Sequence, residues 1–237
     1  MAKASVASFL QSSSSTKLRA TRVWDLPTRL FHWALALCVI GLLMTGTVGG
    51  NAMPWHFRLG YCVLTLLLFR IVWGFVGSTW SRFSSFIYAP KHVIYYLKGK
   101  REPLHEVGHN PLGSLSVFAM LAFLLVQVAT GLFSDDEIAA SGPLTKFIAN
   151  ATVQQVTNYH ANIGKFILIL LVVTHLLAIV FYLVKKRENL IKPMLHGDKI
   201  LPMEVLETRD TARSRFMALL ILLICAAAVY GLVSLGG

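Results

Sequence analysis

The run Tyr159-His160-Ala161-Asn162-Ile163-Gly164-Lys165-Phe166-Ile167-Leu168-Ile169-Leu170-Leu171-Val172-Val173-Thr174-His175 decides how this chain is read. It opens an apolar stretch, 161–184, long enough to carry a helix through the hydrocarbon core of a bilayer, which takes about 20 residues. Ionisable side chains are costly there and mark function by default. At about 1.5 Å per residue, His160 and His175 are separated by roughly 22 Å along the axis; fifteen steps of about 100° leave them only some 60° apart around it. The two histidines share a face and occupy opposite leaflets.

Outward from this segment, four more stretches meet the same length criterion: 30–48, 56–76, 112–133 and 216–235. The composition agrees. Hydrophobic residues make up 55% of the 237-residue chain and charged ones 14%, against about 25% charged in a soluble domain. Mean hydropathy is +0.62. The expected architecture is an all-α integral membrane bundle, a four-helix core with a fifth C-terminal span. Its parts are a disordered cytoplasmic tail (1–21), a membrane domain (22–199), a cytoplasmic linker (200–215) and the last segment (216–237). Asn110 and Pro111 read as N-cap and first-turn proline of the third span, and the stretch 78–110 holds an interfacial helix.

The net charge of +11 is a topology signal rather than a nucleic-acid footprint. Five basic residues precede or open the first span, five lie between the second and third, and eight between the fourth and fifth, whereas Lys146 stands alone on the other side, facing Asp135, Asp136 and Glu137. Positive loops stay in the cytoplasm, which places the N-terminus inside, the C-terminus in the periplasm and the protein in a bacterial inner membrane, in contact with lipid. Nucleic acid is excluded as a partner. Three cysteines without a CxxC pair exclude a disulfide framework, an iron–sulfur cluster and covalent haem attachment.

Histidine is then the available cofactor ligand. His32 lies at the inner end of the first span and His56 at the outer end of the second. The first span runs outward and the fourth inward, so His32 meets His175 at cytoplasmic depth and His56 meets His160 at periplasmic depth. Two facing pairs at two depths suit two bis-histidine b-type haems. A proton or metal carrier would need carboxylates beside the imidazoles, and the five spans contain no Asp or Glu. Gly60 and Gly164 each follow a histidine by one turn, where a missing side chain lets a flat macrocycle approach the backbone. Arg70, fourteen residues after His56, falls near the inner pair, and with no carboxylate in the spans its expected anion is a haem propionate. Arg58 and Lys165 are weaker candidates for the outer site. His92, His105, His109 and His196 fall in loops or the interfacial stretch.

These residues resemble the bacterial cytochrome b561 and nickel–iron hydrogenase b-type subunit family of membrane dihaem cytochromes. The resemblance runs from about Arg22 to Lys199. It is carried by Val23-Trp24-Asp25-Leu26-Pro27-Thr28-Arg29-Leu30-Phe31-His32-Trp33, by Arg70-Ile71-Val72-Trp73-Gly74-Phe75-Val76-Gly77 with Arg82-Phe83, by Gly108-His109-Asn110-Pro111-Leu112-Gly113, and by His160 with His175. It implies a helical bundle with His32, His56, His160 and His175 as iron ligands, and electron exchange between the quinone pool and a protein partner. That partner is expected on the periplasmic side, a haem c protein or a hydrogenase-like enzyme. The fifth span departs from four-helix members and could seal the bundle, anchor a partner or pack in a homodimer. The alternatives are a superoxide:quinone oxidoreductase acting alone and a haem-free transporter. A quinone needs an apolar slot, an aromatic wall and a polar group or two; Trp33, Trp73 and His109 supply these near the inner pair.

Overall fold

In the computed structural model of the chain, the described residues are 18–100, 105, 107–138, 140–203 and 205–236. Five helices long and apolar enough to cross a membrane dominate. The first, α1 (Leu26–Val48), starts where Asp25 accepts a hydrogen bond from Thr28 N at 2.8 Å, with Pro27 in the first turn. This is an N-cap satisfying one of the four orphan amides of the helix start. It ends at Gly49 and Gly50, whose φ values of +66° and +49° suit residues without a Cβ. The chain turns there into α2 (Met53–Val76), antiparallel to α1.

Two short 3₁₀ turns and the small amphipathic helix α3 (Pro90–Leu97) follow. Ile94, Tyr95 and Leu97 of α3 are exposed while Tyr96 is buried, and the helix lies within the stretch 78–110 where one was expected. Helix α4 (Pro111–Leu132) is capped by Asn110, whose Oδ1 accepts from Gly113 N at 2.8 Å. Helix α5 is continuous over Asn150–Lys185 and contains a π-helical turn, Tyr159–Gly164. After the short α6 (Ile191–His196), α7 (Ala212–Ser234) begins at a reciprocal Thr211–Ser214 capping box.

Helix α2 is the axis of the bundle, packed against α1, α4 and α7. Val63 and Leu67 are buried at its centre with Val39, Leu124, Val128 and Leu168 around them. Lipid is as apolar as these side chains, so close packing rather than the hydrophobic effect holds such an interface. Helix α5 is the least enclosed: 6% of its most apolar window is buried, against 39% for α2. It leans on α4, turns Phe166, Leu170, Leu177 and Val184 outward, and keeps its histidine face toward α1 and α2. The fifth span, α7, packs on the far side of α2, placing Ala218 and Cys225 against Phe31, Phe69 and Trp73. It is outside the histidine slot.

One element departs from the all-helical expectation. Residues 1–17 of the expected tail lie outside the described residues, but Arg19–Arg22 is a strand, β1, paired antiparallel with β2 (Asp198–Leu201). The expected 200–215 linker is likewise built in. Thr208 donates through N to Arg22 O (2.8 Å) and through Oγ1 to Val23 O (2.6 Å). Asp210 pairs with Arg22 and Arg215. Period-two alternation is absent over so short a ribbon, so only the contact partner 180 residues away reveals it. The ribbon caps the bundle over Trp24 and Val107 and marks its basic end.

Candidate functional site

The helix order brings the four span histidines together in the expected pairs. At the basic end His32 of α1 faces His175 of α5, with ring centroids 6.4 Å apart. At the opposite end His56 of α2 faces His160 of α5 at 6.1 Å. A metal–imidazole bond is about 2.0–2.1 Å, and each nitrogen lies about 1.1 Å from its ring centre. Two rings on opposite sides of one metal therefore ask for roughly 6.3 Å between centroids. Both pairs meet that requirement. A direct hydrogen bond between the rings would bring them closer.

The His56–His160 pair, at the end away from the basic end, borders a cavity of about 250 Å³, several times the roughly 30 Å³ share of one water and thus a built slot rather than a packing flaw. Its walls include Gly46, Gly60, Gly131, Leu124, Leu168 and Lys165. A Cβ on Gly60 would meet nothing within 4 Å, which fits the cradle expected for a flat group. Gly164 differs: a Cβ there would overlap Gln127 Oε1. Its missing side chain admits Gln127 of α4 instead of leaving room in the slot. Sequence spacing located the right face of the helix, but not which neighbour would fill it.

Gln127 is 8% exposed and grips the π turn from two directions. Its Nε2 donates to His160 O at 2.9 Å and its backbone O accepts from His160 Nδ1 at 2.9 Å. A π turn often marks a functional position; here a carbonyl within the turn, that of His160, is the one Gln127 Nε2 reaches. At His56, Nδ1 donates to Leu42 O at 3.1 Å. The residues behind these contacts, Thr45-Gly46 and Thr130-Gly131, were not singled out in the sequence. The signal available was the repeated Thr-Gly step in two spans and a lone in-span glutamine.

Arg70 is 3% exposed at the basic end, where a buried carboxylate from outside the spans lies near it. Asp25 folds back over the end of α2 and is fully buried. It accepts from Trp73 Nε1 (3.0 Å), Ser81 Oγ (3.1 Å), Ser78 Oγ and Thr28 N. Arg70 Nη1 donates to Ser81 O at 3.0 Å, and its guanidinium lies 4.8 Å over the Phe83 ring. A buried carboxylate thus shares Ser81 with the buried guanidinium. Asp25 precedes the apolar span, so a count of charges within spans missed it. Arg58 stacks on Trp55 at 5.0 Å, whereas Lys165 does line the cavity beside His56 and His160.

The three quinone candidates separate. Trp33 is 39% exposed, lies edge-on to His32 at 5.1 Å, and donates Nε1 to Met194 O at 3.2 Å. His109 sits between Trp24 (4.7 Å) and Phe86 (4.6 Å). Burial first, then the charges of Arg70 and His32, push the pKa of His109 down to about 3, so it is a neutral ring. Its Nδ1 has no hydrogen-bond partner among the described residues. Trp73 is 3% exposed with its indole N–H held by Asp25, which makes it a structural member of the buried cluster and not a wall open to a ligand.

Five apolar helices around two in-membrane histidine pairs, each at metal-bridging distance, define a membrane b-type cytochrome concerned with electron transfer. The chain belongs to the prokaryotic cytochrome b561 family, whose model matches residues 23–197. Among curated proteins it is similar to a probable Ni/Fe-hydrogenase B-type cytochrome subunit of Bradyrhizobium diazoefficiens, 28% identical over 214 residues, covering 75% of this chain and 85% of that protein. The counterpart in Rhizobium leguminosarum bv. viciae is 26% identical over 215 residues, with 75% and 88% covered. A probable Ni/Fe-hydrogenase 1 B-type cytochrome subunit of Escherichia coli K12 is 26% identical over 135 residues, with 46% and 57% covered.

Proposed function

We propose that the chain is a dihaem cytochrome b that moves electrons across the bacterial inner membrane between the quinone pool and a redox partner on the periplasmic side. The observation that carries this reading is the pair of facing histidines at each of two depths, 6.4 and 6.1 Å between centroids. Bound haem supplies one-electron chemistry at iron, tuned by axial ligands, burial and nearby charge. Of the residues of this chain, His32 with His175, and His56 with His160, would hold it, one pair at each depth. Gly46, Gly60 and Gly131 keep the outer slot open. The buried cation Arg70 adds positive potential beside the inner pair.

The basic end faces the cytoplasm in this reading, since the segments before the first span, between the second and third and between the fourth and fifth, which carry five, five and eight basic residues, belong to that end. We assign quinone to that end, with Trp33, edge-on to His32, as an aromatic wall and His109, whose Nδ1 has no partner among the described residues, as a polar group. The partner is hydrogenase-like, as the names of the relatives suggest. A second reading is favoured by Lys165, a residue of the outer cavity wall whose ammonium lies 5.3 Å over the adjacent Phe166 ring: attraction of a small anion such as superoxide to the outer site. Stopped-flow mixing with superoxide and ubiquinone, in the absence of any protein partner, separates the two.

The experiment is an absorption spectrum of the purified protein with a pyridine haemochrome assay. Two haems b per chain are expected. A preparation without a Soret band sinks both readings.

A further inference from the structure

The outer and inner histidine pairs are held by different surroundings. At the outer pair each ring is clamped by the helix next to it in one repeated register. His56 Nδ1 lies 3.1 Å from Leu42 O and 3.3 Å from Thr45 Oγ1. His160 Nδ1 lies 2.9 Å from Gln127 O and 3.2 Å from Thr130 Oγ1. In both cases a glycine follows the threonine, and a Cβ on Gly46 or Gly131 would stand 3.0 Å from the Cε1 of the facing ring. Carbonyl, threonine and glycine thus recur at i, i+3 and i+4 on α1 and again on α4.

The chemistry of the clamp is determined by its acceptors. A peptide carbonyl only accepts, so Nδ1 carries the proton in both rings and Nε2 keeps its lone pair for a metal. The threonine hydroxyl protons are already committed to their own helices, Thr45 to Gly41 O at 2.7 Å and Thr130 to Val126 O at 2.9 Å. Each Oγ1 therefore offers a lone pair to the same N–H. At the inner pair this is missing on the α1 side, where His32 Nδ1 is buried with no hydrogen-bond partner among the described residues.

We propose that the Thr45-Gly46 and Thr130-Gly131 steps are paired positioning elements that make the outer of the two haem sites the lower-potential one. This rests on the dihaem reading above. An imidazole whose N–H is given to fixed acceptors is a more basic ligand and favours the oxidised metal. Lys165 beside the outer slot acts in the other direction, but Arg70 does the same for the inner site, so the local cations do not erase the difference. Electrons then reside on the inner site at equilibrium, and transfer from the outer to the inner site is downhill.

The test is potentiometric titration of the full-length purified protein as wild type, Thr45→Val, Thr130→Val and the double variant, with haem counted in each. Two midpoints are expected in the wild type, the lower one disappearing in His56→Ala. The double valine variant raises that midpoint by about 59 mV, a tenfold change in the reduced-to-oxidised ratio of a one-electron couple. The higher midpoint stays in place, and Thr→Ser variants titrate as wild type. Retention of both haems with no shift, a shift of the higher midpoint, or loss of the lower one in His32→Ala instead overturns the proposal. If valine expels the outer haem, retention at the wild-type midpoint in the serine variants supports the clamp, and loss there too overturns it. Fewer than two haems in the wild type overturns the dihaem reading itself, a result read from the haem count before any midpoint is measured.

Discussion

Replacement of Asp25 by alanine is expected to be among the most damaging single changes outside the four span histidines. The carboxylate is fully buried and accepts from Thr28 N, Trp73 Nε1, Ser78 Oγ and Ser81 Oγ. Loss of an N-cap costs about 1 kcal/mol. An orphaned buried indole N–H adds about 1–3 kcal/mol, and Arg70, which is near Asp25 but not in direct ion-pair contact with it, adds part of the about 3–5 kcal/mol that stranding a paired buried cation costs. These overlap, because the serines can rotate toward new acceptors and Arg70 keeps Ser81 O. A total of roughly 5 kcal/mol is the reasonable expectation. For a chain of this length that lowers the thermal midpoint by roughly 10–20 °C. Asp25→Asn keeps the cap and is expected to lose less; Ser78→Ala, which removes one adaptable donor, less again. Melting in detergent, followed by circular dichroism at constant haem content, gives the ranking. Arg70→Leu on the Asp25→Ala background should recover part of the loss, since removing both buried charges is less harmful than stranding one. If Asp25→Ala melts no lower than Ser78→Ala, the carboxylate is not the organising group of the basic end and the reasoning fails.

Other outcomes follow from the same geometry. His32→Ala and His175→Ala should lose one and the same haem, and His56→Ala and His160→Ala the other, leaving one per chain by haemochrome assay; His32 and His56 behaving as a pair would contradict the helix order. Gly164→Ala pushes a Cβ into Gln127 and should destabilise by about 1–3 kcal/mol, with Gln127→Ala in the same chain relieving the overlap; equal melting of the single and double variants would show that Gly164 does not act through Gln127. Trp33→Ala and His109→Ala should slow oxidation by a quinone analogue with both haems retained, while Trp73→Phe lowers the melting point; the reverse assignment would move the quinone site. Burial opposes ionisation of Asp210, but the hydrogen bonds and charges of Arg215 and Arg22 outweigh it and hold its carboxyl below the usual range. A depressed folded-state pKa gives stability that is present above the ordinary carboxylate value and is lost as pH falls through the folded one. Asp210→Asn should therefore melt lower than wild type at pH 7, the gap closing as pH drops below about 4; a gap unchanged at acid pH would count against the ion-pair account.

Much of this protein was legible in one dimension because the bilayer imposes a single strong rule. Backbone polar groups have no water to turn to, so apolar runs of sufficient length become helices, and all five spans were found within a turn or so except where α5 extends back to Asn150. Helical periodicity then sufficed to pair His32 with His175 and His56 with His160, since axial rise and angular step do not depend on neighbours. Asn110 as a cap was local for the same reason. What the sequence left open depended on which surfaces meet. Gly60 and Gly164 stand in the same relation to their histidines, yet one borders the slot and the other admits Gln127, a difference made by α4. Arg70 was assigned an external anion because Asp25, 45 residues earlier, was counted as a loop residue; only folding of the chain over the end of α2 brings them to a shared serine. The β1–β2 ribbon and the clamps at Leu42-Thr45-Gly46 and Gln127-Thr130-Gly131 are likewise contacts between distant segments. Periodicity determined what lies at each depth and on each helix face, because those are properties of one helix in one solvent. The tertiary structure decided which polar groups satisfy one another, because in a medium without water each buried donor takes whichever acceptor packing sets beside it.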